Sequence, residues 1–222
     1  ASVATAVWLR EPKRHVLETT LYLRFMVRVT QYALISHPPL RSVILLGSLL
    51  SALCYGFFWF SQPYQMDAGI PVGWFGVIHA GIVGSGAIAS LLTHRIERWM
   101  SDRLFFALLM AVVIAAGLAW GLLPMSVTGL VWIWSIRIAW SFKSPLTKDL
   151  INRMTDGSVR ATTLSLNALT FRLLFVLSTP VIAWLNGLVS LSHAIAWTAG
   201  GGGMVLLLLF AIMHRSWEEI PE

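Results

Sequence analysis

Long apolar runs separated by short polar intervals fill the chain, and six of them, at 43–61, 72–92, 104–121, 127–147, 161–185 and 194–213, predict bilayer-crossing helices. Runs of about 17–25 residues, rising about 1.5 Å per residue, cover a hydrocarbon core of about 30 Å. The intervals alternate in chemistry. Fourteen of the sixteen Lys and Arg residues fall in 1–42, 93–103, 143–160 and 214–222, whereas 62–71, 122–126 and 186–193 hold none. Cytoplasmic loops keep their basic residues and translocated loops are depleted of them. The pattern therefore predicts two cytoplasmic termini and an even number of crossings, which six satisfies. Ahead of the first run, Arg10, Lys13, Arg14, Glu18, Arg24 and Arg28 interrupt every apolar stretch. Within 16–34, Leu17, Leu21, Phe25, Val29 and Tyr32 recur at helical spacing while Arg24 and Arg28 take another face, which predicts a helix lying on the membrane surface. His37-Pro38-Pro39 ends that helix. Residues 1–9 are apolar from the first position, so they are expected to close an earlier span of a larger protein. The expected organisation is a preceding helix end and amphipathic linker over 1–42, a six-helix bundle over 43–213, and a cytoplasmic tail over 214–222.

Composition strengthens the membrane reading: 57% hydrophobic residues, 12% charged residues and a mean hydropathy of +0.73 lie outside the range of ordinary soluble domains. The net charge of +6 does not point to nucleic acid, because the basic residues sit in short loops beside apolar runs and not on one soluble face. Membrane topology and contact with anionic lipid account for them. The single cysteine, Cys54, lies in the first run and excludes an intramolecular disulfide. The second run carries the small pairs Gly81–Ser85 and Gly86–Ser90, which predict close packing against a partner helix. Four successive glycines at 200–203 leave close packing, a kink or local flexibility open in the sixth run, and Pro180 is expected to bend the fifth.

Within 137–180 stand Arg137, Pro145, Leu150-Ile151-Asn152-Arg153 and Arg160-Ala161-Thr162-Thr163-Leu164-Ser165. These residues resemble the tenth and eleventh helices of bacterial members of the major facilitator superfamily. Trp59-Phe60-Ser61-Gln62-Pro63-Tyr64 is similar to the outer end of that family's seventh helix, and Arg10-Glu11-Pro12 to the end of its sixth. The resemblance implies an all-α membrane protein with six transmembrane helices in two three-helix repeats, the carboxyl-terminal half of a twelve-helix transporter. One departure stands out in 86–103, where the family carries a degenerate Gly-x-x-x-Asp-Arg-x-Gly-Arg-Arg gating motif. Ser90 occupies the Asp position and the second Gly is missing, leaving Glu97 and Asp102 as substitute acidic partners.

Arg137 and Arg172 read as the two charges inside the membrane, with no Asp or Glu in any run to neutralise them. An Arg at a helix centre costs about 2.5–3.5 kcal/mol on insertion scales, so something must compensate it. Either the guanidinium faces a water-filled cavity and attracts an anionic substrate or a carboxylate on the absent half, or it bonds helix carbonyls and snorkels toward the cytoplasm. In the resembling family the seventh and tenth helices border the central cavity, which makes Tyr55, Trp59, Gln62, Trp134 and Ser135 candidates for an aromatic site with a few polar contacts. Interfacial Trp and Tyr need no ligand, so the same residues also fit an aromatic belt. His79 is the candidate proton carrier, with a plain interhelical hydrogen bond as the other reading. Asn167 is a candidate donor across the fifth run. No metal site, cofactor or catalytic constellation is expected from the spacing of His, Cys and acidic residues.

These features predict a secondary transporter of a small solute in the cytoplasmic (inner) membrane, working by alternating access as a symporter or antiporter, with an anion as one candidate class of solute. Its partners are the lipid bilayer and an amino-terminal half or second copy. The rival is a transport-inactive scaffold of the same fold, motivated by the degraded gating loop.

Overall fold

The computed structural model describes residues 19–217 and 220, and every regular element among them is helical. The expectations for 1–18, including Arg10-Glu11-Pro12, lie outside the described residues. Helix α1 (Thr19–Gln31) passes through a π turn (Tyr32–Ser36) into α2 (Pro38–Asp67). Then come α3 (Phe75–Glu97), α4 (Asp102–Leu122), α5 (Leu130–Arg153), α6 (Gly157–Leu188) and α7 (Leu191–Met213), the last followed by a 3-10 turn (His214–Trp217). Of the apolar face expected in this segment, Val29 is buried and Phe25 half-buried while Arg24 and Arg28 are exposed, but Tyr32 is exposed too, and the side chains of Leu17 and Leu21 lie outside the described ones.

The helix ends follow local chemistry. His37 leaves helical geometry, its Nδ1 accepts from the Leu40 amide at 3.2 Å, and Pro38 opens α2 where a missing N–H costs nothing. At the other end Gly69, at φ 74°, takes the left-handed turn that lets the Gly69 amide bond Met66 O and the Ile70 amide bond Gln65 O, each at 3.0 Å. Ser101 and Ser190 cap α4 and α7 by accepting from Leu104 and His193 amides. These caps, and helix that continues through Pro63, Pro145 and Pro180, make several helices longer than their apolar runs.

Helix α2 sits at the centre and packs against α5, α6 and α7; α4 packs on α5 and α7, and α3 rests on α5. Of the most apolar 18-residue stretch, 72% is buried in α2 and none in α6, which identifies the inner and outer positions. Leu46, Leu50 and Phe57 of α2 meet Phe106, Met110 and Trp120 of α4, Leu146 and Leu150 of α5, and Ile195 and Leu206 of α7 in one continuous core. The small residues of α3 pack close, as their spacing predicts: a Cβ on Gly81 would lie 2.9 Å from Trp134 of α5. The four glycines of α7 stay helical, and two of them pack closely, Gly202 against Leu53 and Gly203 against Ile114, whereas Gly200 and Gly201 have room for a side chain.

Among the described residues five helices are long and apolar enough to cross a membrane, namely α2, α3 with the turn before it, α4, α6 and α7 with the turn after it. Together they make the chain an integral membrane protein. The fourth predicted run, now α5, falls outside that set because Arg137, Lys143, Lys148, Asp149 and Arg153 lie within its 24 residues. It nevertheless occupies the middle of the bundle, touching α2, α3 and α4.

Candidate functional site

Three helices bring aromatic side chains and one guanidinium to a common open cleft with about 20 Å³ of enclosed space, lined by Tyr55 and Phe58 of α2, His79 and Ile82 of α3, and Arg137 and Trp140 of α5. Cys54, Phe57, Trp120 and the hydrocarbon of Ile133 and Ile136 complete its walls. Helical spacing explains the convergence on α5, because Ile133, Ile136, Arg137 and Trp140 are three or four residues apart and share one face. Tyr55 is the hub of the aromatic group. Its ring is 6.0 Å from Phe58, 6.4 Å from Trp59, 6.3 Å from Trp140, and edge-on to Phe171 and Phe175 of α6 at 5.7 and 4.9 Å. Such offset and edge-on arrangements stabilise beyond area burial, so the wall is held rigidly.

Arg137 is half-buried and lays its guanidinium over the Trp140 ring, Cζ to centroid 4.3 Å. That is cation–π distance. Its Nε is buried without a hydrogen-bond partner, and no ion pair to Arg137 occurs among the described residues. The nearby Ser141 hydroxyl donates to the carbonyl of Arg137 at 3.0 Å. Opposite, the His79 ring meets Phe58 at 5.3 Å, while the residue itself is exposed at the cleft's open edge.

Of the residues singled out from sequence, Tyr55, His79 and Arg137 meet at this cleft, and the others do not line it. Trp59, 61% exposed, and Gln62, also exposed, lie on the outer surface of α2. Trp134 donates its Nε1 proton to Ser85 Oγ at 2.8 Å, fastening α5 to α3. The Ser135 hydroxyl donates to Val131 O at 2.8 Å within its own helix. Asn167 is an acceptor, not the expected donor: Ser48 Oγ lies 3.1 Å from its backbone oxygen and 3.3 Å from Oδ1, linking α2 to α6. Arg172 is exposed on the outer face of α6. Tyr64, the last residue of the aromatic motif, is buried and its hydroxyl bonds the backbone of Ser126 in both directions, at 3.1 and 3.2 Å.

A third embedded cation corrects the count of two. Lys143, assigned to a loop by its sequence position, is 4% exposed between α5 and α2 and donates Nζ to Ser51 Oγ at 2.5 Å. Gly47 of α2 makes close room for the next turn of the same α5 face, since a Cβ there would lie 3.1 Å from Thr147 Cγ2. The signal was present in the helical register: Ile136, Ala139, Leu146 and Leu150 flank Lys143 on one buried stripe.

At the basic end of the bundle the tenth-helix-like motif builds a second polar group. Arg153 pairs with Asp102 at 2.7 Å and with Asp149 at 2.9 Å, and Glu97 pairs with His94 at 2.9 Å. Both acidic residues proposed for the gating loop therefore have basic partners, Asp102 across helices and Glu97 within its own. Arg160 reaches back to Asn152 O and Thr155 O, each at 3.4 Å, satisfying carbonyls at the end of α5. Among the described residues no group of three or more His, Cys, Asp or Glu could hold a metal ion.

No family model and no curated protein matches the chain. Among solved structures, it is similar to a bacterial homologue of the human lysosomal transporter Spinster, determined in an inward-facing and unoccupied conformation. The two share 17% identity and a TM-score of 0.55 over 97% of this chain and 55% of the other. The likeness is one of fold, and it agrees with the resemblance to the major facilitator superfamily. The chain spans about half the length of that structure.

Proposed function

We propose that this chain is the carboxyl-terminal, six-helix half of a secondary transporter that carries a small solute across the cytoplasmic membrane by alternating access. The observation that carries the reading is the fold match, which takes in nearly all of this chain and 55% of a transporter. The remainder corresponds to a second bundle, supplied by an amino-terminal half or another copy. In such transporters two bundles rock around a site near the bilayer midplane. Under this reading α5 is the sixth crossing despite its charges, the helices form two three-helix repeats, and residues 43–213 are the bundle between a cytoplasmic linker and tail. Both termini face the cytoplasm, because the basic loops lie on their side. The cleft lined by Tyr55, His79 and Arg137 is this half's contribution to the solute site, and His79 is its candidate proton carrier.

Alternating access has a direct test in membranes holding the full-length protein on a Cys54→Ser background. Gln62 lies at the outer end of α2 and Ala161 at the inner end of α6, both exposed. A bulky maleimide on a cysteine at Gln62 should trap the outward-open state and protect a cysteine at Ala161 from a second reagent. The reverse order should protect Gln62. Independent labelling in both orders defeats the transport reading and leaves the transport-inactive scaffold.

A further inference from the structure

Stacking on Trp140 occupies one face of the Arg137 guanidinium and leaves its in-plane N–H donors unused. Its Nε is buried without a partner, its neighbour Ser141 is committed to a backbone carbonyl, and no carboxylate pairs with it among the described residues. A fixed guanidinium edge is a two-donor fork that fits the paired oxygens of a carboxylate, and equally those of a sulfonate or phosphonate. Around that fork the cleft is mostly carbon, the rings of Tyr55, Phe58 and Trp140 and the side chains of Ile82, Ile133 and Ile136, with the His79 imidazole at its open edge. The Ser61 hydroxyl in the same wall already donates to Phe58 O at 2.6 Å. A polyhydroxylated solute would leave its hydroxyls unpaired here, and a cationic one would face Arg137. The enclosed space between these side chains is about 20 Å³, room for a single water, so the solute's body lies across the open edge of the cleft, against the half-buried faces of Tyr55 and Phe58.

We infer that the cleft recognises a small organic anion with a planar aromatic body, its acid group on the Arg137 fork and its ring against Tyr55 and Phe58. Translocation of the bound anion rests on the transport reading, whereas its recognition requires only the cleft. The Tyr55 ring, braced edge-on by Phe171 and Phe175 of α6, offers a preformed stacking surface. Arg137 supplies charge selection, and the aromatic wall supplies preference for flat over flexible apolar bodies.

Calorimetric titration of the purified full-length protein in nanodiscs of neutral lipid tests this with four probes. They are 2-naphthoate, neutral 2-naphthylmethanol, cationic 2-naphthylmethylammonium, and decanoate, an anion without a ring. Naphthoate is expected to bind about 10- to 100-fold more tightly than the alcohol, as a charge-assisted hydrogen-bonded pair implies, and more tightly still than the amine. It should exceed decanoate by about 2- to 10-fold. In Arg137→Gln the naphthoate-to-alcohol ratio should collapse toward one, and Arg137→Lys should recover it only in part. Tyr55→Leu should remove the preference over decanoate. Equal binding of naphthoate and naphthylmethanol by the unsubstituted protein overturns the inference without reliance on any variant's folding, and so does an unchanged ratio in Arg137→Gln. Anion-selective binding with independent labelling of Gln62 and Ala161 would remove the transport reading and keep this site. Coupled labelling without anion selectivity would do the opposite.

Discussion

Lys143 is a buried cation held by a single side-chain partner. Its ammonium has one hydrogen-bond acceptor, Ser51 Oγ, and is otherwise enclosed by α2 and α5. Removing the acceptor should hurt more than removing the charge. Ser51→Ala is expected to cost about 1–3 kcal/mol, the penalty for leaving a buried polar group unsatisfied, whereas Lys143→Met, similar in length and uncharged, should be neutral or stabilising. In the Lys143→Met background Ser51→Ala should cost little. A double-mutant cycle by reversible SDS titration in mixed micelles measures this coupling, and additive losses would show that the two side chains do not support each other. At the same scale, the sequence made Arg137 and Tyr55 legible because charge inside an apolar run and aromatic clustering are local signals. The exposure of Trp59 and Gln62 was not legible, because which face of a helix meets a neighbour depends on residues far away in the chain.

Helix spacing was read well where small or apolar residues repeat, and poorly where a polar residue continues a buried stripe. The face of α3 that meets Trp134 follows from Gly81 and Ser85, and the break before α2 follows from His37-Pro38. The fourth predicted run stops at 147, six residues short of Arg153, because Lys148, Asp149 and Arg153 look like a loop in a hydropathy window, although the stripe through Leu146 and Leu150 runs on. Helix–helix distance gives a sharper test. Gly121 of α4 lies so close to α7 that a Cβ would collide with the backbone of Ser192 and Ala196, which cannot rotate away. Gly121→Ala is therefore expected to destabilise the α4–α7 pair by about 1–3 kcal/mol. Gly84 of α3 has open space around it, so Gly84→Ala should be neutral or gain up to about 1 kcal/mol from helix propensity. Equal stabilities of the two variants in the same SDS titration would contradict the close approach.

At the scale of the whole molecule, orientation is the most testable expectation. With Cys54 replaced, a cysteine at Asp67 or Ser126 should react with an impermeant reagent applied outside, and one at Ser101 or Thr155 should not; the reverse pattern would invert the topology. The polarity of α5 has a further consequence, for synthesis. Insertion scales assign about 2.5–3.5 kcal/mol to each Arg or Lys at a helix centre, so α5 with Arg137 and Lys143 is a poor candidate to leave the translocon for lipid by itself. The helices it packs against most extensively, α2, α3 and α4, all precede it in the chain, and only its lesser contact, α6, follows, so most of its packing surface is already in the bilayer when the ribosome delivers it. In a glycosylation-mapping reporter, α5 alone should fail to integrate, and α5 behind α2, α3 and α4 should span. Efficient integration of the isolated helix would mean that its charges are tolerated by lipid directly. Chain order would then matter as much as sequence, because a permuted protein that delivered α5 first would present two buried cations to the membrane before Ser51 and Trp134's partner Ser85 had been made.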